Sequence, residues 1–204
     1  MLLSTSTHSR CRPAYTQAME HEAGEVKREP LDPEREARRR VALAQIRQYG
    51  DPVLKMRANA VEEFGDELVA LVVRMKSLMQ NANGVGLAAN QVGVLRRVIV
   101  LQPNEEESFA LVNPVLRESS DELETDDEGC LSLQGVTVPV ERWIRVTVEG
   151  VDERGEEVSY ELEGLAARVL QHELDHLDGV LILERTDDES RRGALATLRR
   201  DLVG

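Results

Sequence analysis

Cysteine is nearly absent from this chain: its 204 residues include only Cys11 and Cys130. Two distant cysteines make no disulfide framework, so both read as reduced thiols in a cytosol-like compartment. Long apolar runs are missing too. No stretch approaches the ~20 residues of a membrane-spanning helix, and no secretory apolar segment opens the chain. Basic residues are outnumbered, with 25 Lys and Arg against 38 Asp and Glu and a net charge of −13. That balance argues against a general nucleic-acid binder, DNA included. Histidine is scarce as well: beyond His8 and His21 near the start, only His172 and His176 occur.

The length suffices for one domain with a real core. Residues 1–41 carry charge runs (Glu34 to Arg40), Pro30 and Pro33, and few large apolar side chains. They bury too little to offset ordering entropy, so 1–41 is expected to lie outside the fold as a disordered extension, with at most a transient helix over 35–48. Residues 42–204 are expected to form the folded domain. Residues 1–18 contain Ser, Thr and Arg but no acid, a faint likeness to an organellar transit peptide. Met19 is a candidate internal start, and intact-mass analysis of the native protein tests that expectation.

Residues 66–81 place Leu68, Leu71, Val72, Met75, Leu78 and Met79 on one helical stripe, with Asp66 and Glu67 at the positive end. Strands are expected at 97–101, 109–112, 136–140, 144–148 and 158–162. Gly164 and Gly179 bracket a helix, and a last helix covers about 189–202, with Leu195, Leu198 and Leu202 on one face. Strands and helices do not strictly alternate, so the fold class is α+β, with mixed or antiparallel sheets around the helix that holds the two histidines.

That helix carries Gln171-His172-Glu173-Leu174-Asp175-His176, an HExxH pattern. Residues i and i+4 share a helix face, so both imidazoles reach one metal ion, and Glu173 lies beside it to take a proton from a bound water. Alone, the motif fits a chance pairing on a solvated helix equally well. Leu165 and Val169 continue the histidine face, and two imidazoles on an apolar face need polar partners, for which a metal is the natural one. Leu170, Leu174 and Leu177 form a second stripe that reads as core.

Two further segments change the balance: Gly84-Val85-Gly86-Leu87-Ala88-Ala89-Asn90-Gln91, and Glu128-Gly129-Cys130-Leu131-Ser132. In the order GxGLAAxQ, EGCLS, QHExDHLxG, the three segments resemble the signature motifs of the peptide deformylases, which remove the formyl group from the N-terminal methionine of new polypeptides. The likeness runs from about Ile46, through Gln48-Tyr49-Gly50-Asp51-Pro52-Val53-Leu54, to the last helix. It implies Cys130, His172 and His176 as metal ligands and Glu173 as general base and then acid. It implies Gln91 and the backbone N–H of Leu131 as donors to the oxyanion, and Val85, Gly86, Leu165 and Val169 as the methionine pocket. It also implies Fe²⁺ as the metal, with Ni²⁺, Co²⁺ or Zn²⁺ able to substitute, and nascent formyl-methionyl polypeptides as substrate. A monomer in the cytoplasm, touching the ribosome weakly through the last helix (Arg191, Arg192, Arg199, Arg200), completes the expectation.

Two arginines common in that family are missing, one shortly after EGCLS and one after Val138-Pro139; Arg142 is the candidate replacement for the second, as partner of Glu128. Arg168, one turn before His172, is expected to send its head to solvent, and Asn90 to be a tolerant loop residue. An HExxH metallopeptidase is the alternative, with only Glu184 and Glu189 as downstream ligands. A catalytically weak, deformylase-like binding protein is the other. Metal content and turnover on a formyl peptide discriminate among the three.

Overall fold

The apolar stripe over 66–81 becomes helix α2 (Asp66–Asn81), and the six residues that define the stripe are the six it buries. The computed structural model describes residues 32–104 and 108–201. Ahead of α2 lies α1 (Pro33–Leu43), which starts where Pro33 follows Asp32, whose side chain accepts a hydrogen bond from Glu34 N–H. The helix expected over 35–48 is therefore found shifted towards the N-terminus. The boundary expected between 41 and 42 falls inside α1, whose Ala42 and Leu43 are buried. Residues 1–31 of the expected extension lie outside the described residues.

Among the described residues seven strands follow: β1 (Gly86–Ala88), β2 (Val98–Leu101), β3 (Phe109–Ser119), β4 (Leu123–Cys130), β5 (Leu133–Trp143), β6 (Arg145–Val151) and β7 (Glu157–Glu163). They form a five-stranded sheet, ordered β1-β2-β3-β6-β7, and a β4-β5 hairpin. All of these strand pairs are antiparallel. The long β3 bends at Asn113, where φ is +51°. Its side-chain amide pairs with Val61 N–H and C=O, both at 2.8 Å, in the manner of a neighbouring strand.

Helix α3 (Leu165–Leu177) carries the HExxH residues and α4 (Asp188–Asp201) closes the fold. One core lies between α1, α2 and the β1-β2 edge; a second lies between the large sheet and α3, where Leu170 and Leu177 are fully buried. A third joins β5 to α4 through Val136, Val138, Val140, Ala194 and Leu198. The helix is thus clamped between sheet and hairpin. Leu198 packs as expected; Leu202 lies outside the described residues. Gly179, at φ +74°, ends α3 where a Cβ would sit 2.6 Å from Lys55 O, so glycine is required by both conformation and space. The α+β class is what the sequence leads one to expect, and no described helix is long and apolar enough to cross a membrane.

Candidate metal centre and active site

Two elements converge on one spot. Helix α3 presents His172 and His176 one turn apart, and the end of β4 delivers Cys130 at a register shift between Gly129 and Cys130. The Cys130 Sγ lies 3.2 Å from His176 Nε2, and the three donor atoms all sit within 4.8 Å of one another. Tetrahedral coordination with bonds of about 2.1 Å to nitrogen and 2.3 Å to sulfur spaces its donors by roughly 3.5 Å, so the set fits one cation. Charge points the same way. Burial and the neighbouring His172 hold His176 well below its ordinary pKa. Burial also opposes charge on His172, yet bonds to Cys130 and Glu128 lift it well above. Two imidazoles so close cannot both be protonated, which leaves a lone pair for a metal.

The charges behind the three donor residues are buried and paired. His172 Nδ1 meets Glu128 Oε2 at 3.0 Å, the carboxylate contact that orients a ligating imidazole. Arg142 grips both oxygens of Glu128, at 2.9 and 3.0 Å, and reaches Asp175 at 2.6 Å. Arg142 is thus the partner of Glu128, as expected. It lies two residues along β5 from Val140, where strand periodicity returns to the same face. Burial would raise the carboxyl of Glu128, but His172 and Arg142 win and lower it to about 2.

Arg168 corrects an expectation. Its head does not reach solvent; it is buried, 3.0 Å from Glu128 Oε1, and donates to Val140 O and Glu124 O at 2.8 and 2.9 Å. A guanidinium has enough donors to satisfy a carboxylate and two carbonyls together, which offsets the cost of its burial. Asn90 is a second correction. It is fully buried and its amide donates to the carbonyl of His176, joining the glycine-rich segment to the metal helix.

Glu173 is buried, with Oε2 lacking a hydrogen-bond partner among the described residues. Burial lifts its carboxyl to about 7. It faces Gly86: a Cβ there would collide with Glu173 Oε1 and stand 2.7 Å from Val169 Cγ1. Gly86, Val169 and Glu173 are thus together, whereas Val85 and Leu165 are largely exposed. Gln91 is buried. Its Oε1 accepts from Ala88 N–H at 2.8 Å, and its Nε2 donates to Ser132 Oγ at 3.1 Å and approaches Cys130 Sγ at 3.6 Å. The Leu131 side chain seats over Gly84. A groove of about 540 Å³ along α1 is lined by none of these residues.

The sequence model of the polypeptide deformylases matches residues 43–192. The chain belongs to the polypeptide deformylase family. Peptide deformylase 1 of Corynebacterium glutamicum is 43% identical over 162 residues, spanning 78% of this chain and 96% of that one. Among solved structures, the peptide deformylase of Thermotoga maritima is 46% identical with a TM-score of 0.68, covering 70% of this chain and 96% of its own. That of Thermus thermophilus is 42% identical with a TM-score of 0.73, covering 78% and 95%. As a deformylase the chain is a hydrolase that removes the N-formyl group of nascent polypeptides. Deformylases are metal-dependent, and Cys130, His172 and His176 form the group able to hold an ion among the described residues. The metallopeptidase alternative finds no extra ligand in Glu184, which instead pairs with Lys55 at 2.5 Å and caps Leu181 N–H at 2.8 Å.

Proposed function

We propose that deformylation occurs at this site, with Cys130, His172 and His176 as ligands of Fe²⁺ and Glu173 as the proton carrier. The observation that supports it best is Glu173 itself, a buried carboxyl with an unpaired oxygen beside the ligand cluster. When bound, the cation supplies Lewis-acid polarisation of the formyl group and an acidified water. Glu173 accepts a proton at its free oxygen and delivers it to the departing amine, a role suited to a carboxyl near neutrality. Negative charge developing on the formyl oxygen is met by Gln91 Nε2 and Leu131 N–H. Gln91 is well held for this, because its Oε1 is fixed by Ala88 N–H. The absent Cβ of Gly86 leaves room for the Glu173 carboxylate, and the formyl-methionine side chain lies against Val169 and the exposed edges of Val85 and Leu165.

A thiolate ligand softens the site, favouring Fe²⁺ while admitting Ni²⁺, Co²⁺ or Zn²⁺. We place the enzyme in the cytoplasm as a monomer. Ribosome contact would rest on Arg192 and Arg199, which are exposed on α4, since Arg191 is engaged with Leu183 O at 2.6 Å. Such contact is weak and salt-sensitive; absence from the ribosomal pellet at low salt rules it out.

The deciding experiment is turnover of N-formyl-methionyl-alanyl-serine by protein purified without oxygen and loaded with Fe²⁺ or Ni²⁺, beside Glu173→Ala. Turnover that vanishes in the variant while its metal content holds supports the assignment. Equal turnover in both proteins refutes the role of Glu173, and absence of bound metal refutes the ligand set.

A further inference from the structure

The segment Arg47–Tyr49 crosses behind both proposed oxyanion donors. Arg47 N–H donates to Gln91 O at 2.7 Å and Tyr49 N–H to Ser132 O at 2.8 Å. Between them the Gln48 side chain reaches across, its Nε2 3.2 Å from Leu131 O and 3.0 Å from Ile46 O. The other end of that amide is fixed too, because Gln134 Nε2 donates to Gln48 Oε1 at 3.0 Å.

Leu131 C=O and Ser132 N–H belong to one peptide unit, which is planar and rigid. Gln48 holds the carbonyl end, and Ser132 N–H points at Cys130 Sγ at 3.4 Å. The Leu131 side chain is seated separately, over Gly84. With the following peptide plane and the side chain both fixed, rotation about the Leu131 backbone is arrested. The direction of the Leu131 N–H is then set as well.

We infer that Gln48 is a positioning residue for deformylation, aiming the Leu131 N–H at the oxyanion through its bond to Leu131 O. The inference rests on the reading of Leu131 N–H as a donor in the reaction. Gln48 touches neither metal ligand nor Glu173 among its hydrogen bonds, so its effect should fall on the transition state and leave metal and substrate binding alone. A merely structural glutamine would instead show itself in stability or metal content.

The test compares the full-length, Ni²⁺-loaded enzyme with Gln48→Glu, which keeps the shape but removes the donor. For N-formyl-methionyl-alanyl-serine, kcat should fall on the order of 10- to 100-fold, with KM and metal content unchanged. A kcat within about twofold of the parent overturns the inference, as does loss of metal. Should the added charge prevent folding, the exposed Gln134→Ala takes its place, because it frees Gln48 from its support. It should lower kcat severalfold at constant KM, and an unchanged kcat overturns the inference equally. Replacing the Leu131 amide N–H by an ester oxygen separates the two levels. If the ester enzyme keeps full kcat, the donor reading fails and the role of Gln48 fails with it. If the ester enzyme is slowed and the Gln48→Glu enzyme is not, only the role of Gln48 fails.

Discussion

Replacing Arg142 by methionine should destabilise the protein by about 3 kcal/mol at pH 7, and by much less at pH 3. Arg142 and Glu128 are both buried and bonded through two parallel contacts, with Asp175 taking the third. Removing one member of a buried pair typically costs about 3–5 kcal/mol because the other charge is left behind. Here the low end applies, since Glu128 keeps Arg168 and His172, and Asp175 keeps Arg185 at 2.5 and 3.0 Å. The pH dependence has a definite sign. The carboxyl of Glu128 is lowered from 4.5 to about 2 in the folded protein. Its contribution is therefore complete above about 4.5 and is lost as pH falls through about 2. A shift of that size corresponds to about 3 kcal/mol. Urea unfolding of both proteins, stripped of metal by a chelator so that acid release of the cation does not enter, measures the gap. It should narrow steadily from pH 5 to pH 3. A gap below about 1 kcal/mol at pH 7, or one as wide at pH 3 as at pH 7, would refute the reasoning.

Gly86→Ala should lower kcat on the order of 100-fold while metal content holds, because the new methyl occupies the place of the Glu173 carboxylate; unchanged kcat would mean that Glu173 moves aside without consequence. Glu173→Gln should stabilise the metal-free protein at pH 8 but not at pH 4. Burial raises that carboxyl from 4.5 to about 7, so the folded state resists ionisation, and the penalty grows as pH rises from 4.5 to about 7, levelling off at about 3 kcal/mol. Chelator-treated samples unfolded in urea at the two pH values report it, and an equal difference at both sinks the claim.

Helices α2, α3 and α4 and most strands were legible because their apolar residues fall at the right period, as in α2 and in the alternating Val136, Val138 and Val140 of β5. β4 was not, although it carries Cys130. Its sequence, LETDDEGC, has hardly an apolar residue, and its place is fixed by pairing with β5 rather than by burial. β1 was missed because three residues are too short to show a period. The cluster of Cys130, His172 and His176 was readable from spacing and motif, but the support around it was not. Arg168 and Asn90 look like surface residues in sequence, and only the partners that folding brings, Glu128 and the His176 carbonyl, explain their burial. Gln48 escaped for the same reason: its contact with Leu131 spans 83 positions.

Cys130 and His176 are 46 positions apart and arrive on a hairpin and a helix that belong to different layers. A cation bound between them acts as a crosslink, closing a loop that the unfolded chain leaves open. The unfolded chain does not hold Cys130 beside the histidine pair, so it binds metal more weakly than the folded one, and occupancy shifts the folding equilibrium. The tie also ends one residue before Leu131. Removing the ion should therefore loosen the turn that carries the proposed donor, visible as faster amide exchange at Ser132 and at Tyr49, whose N–H closes on that turn.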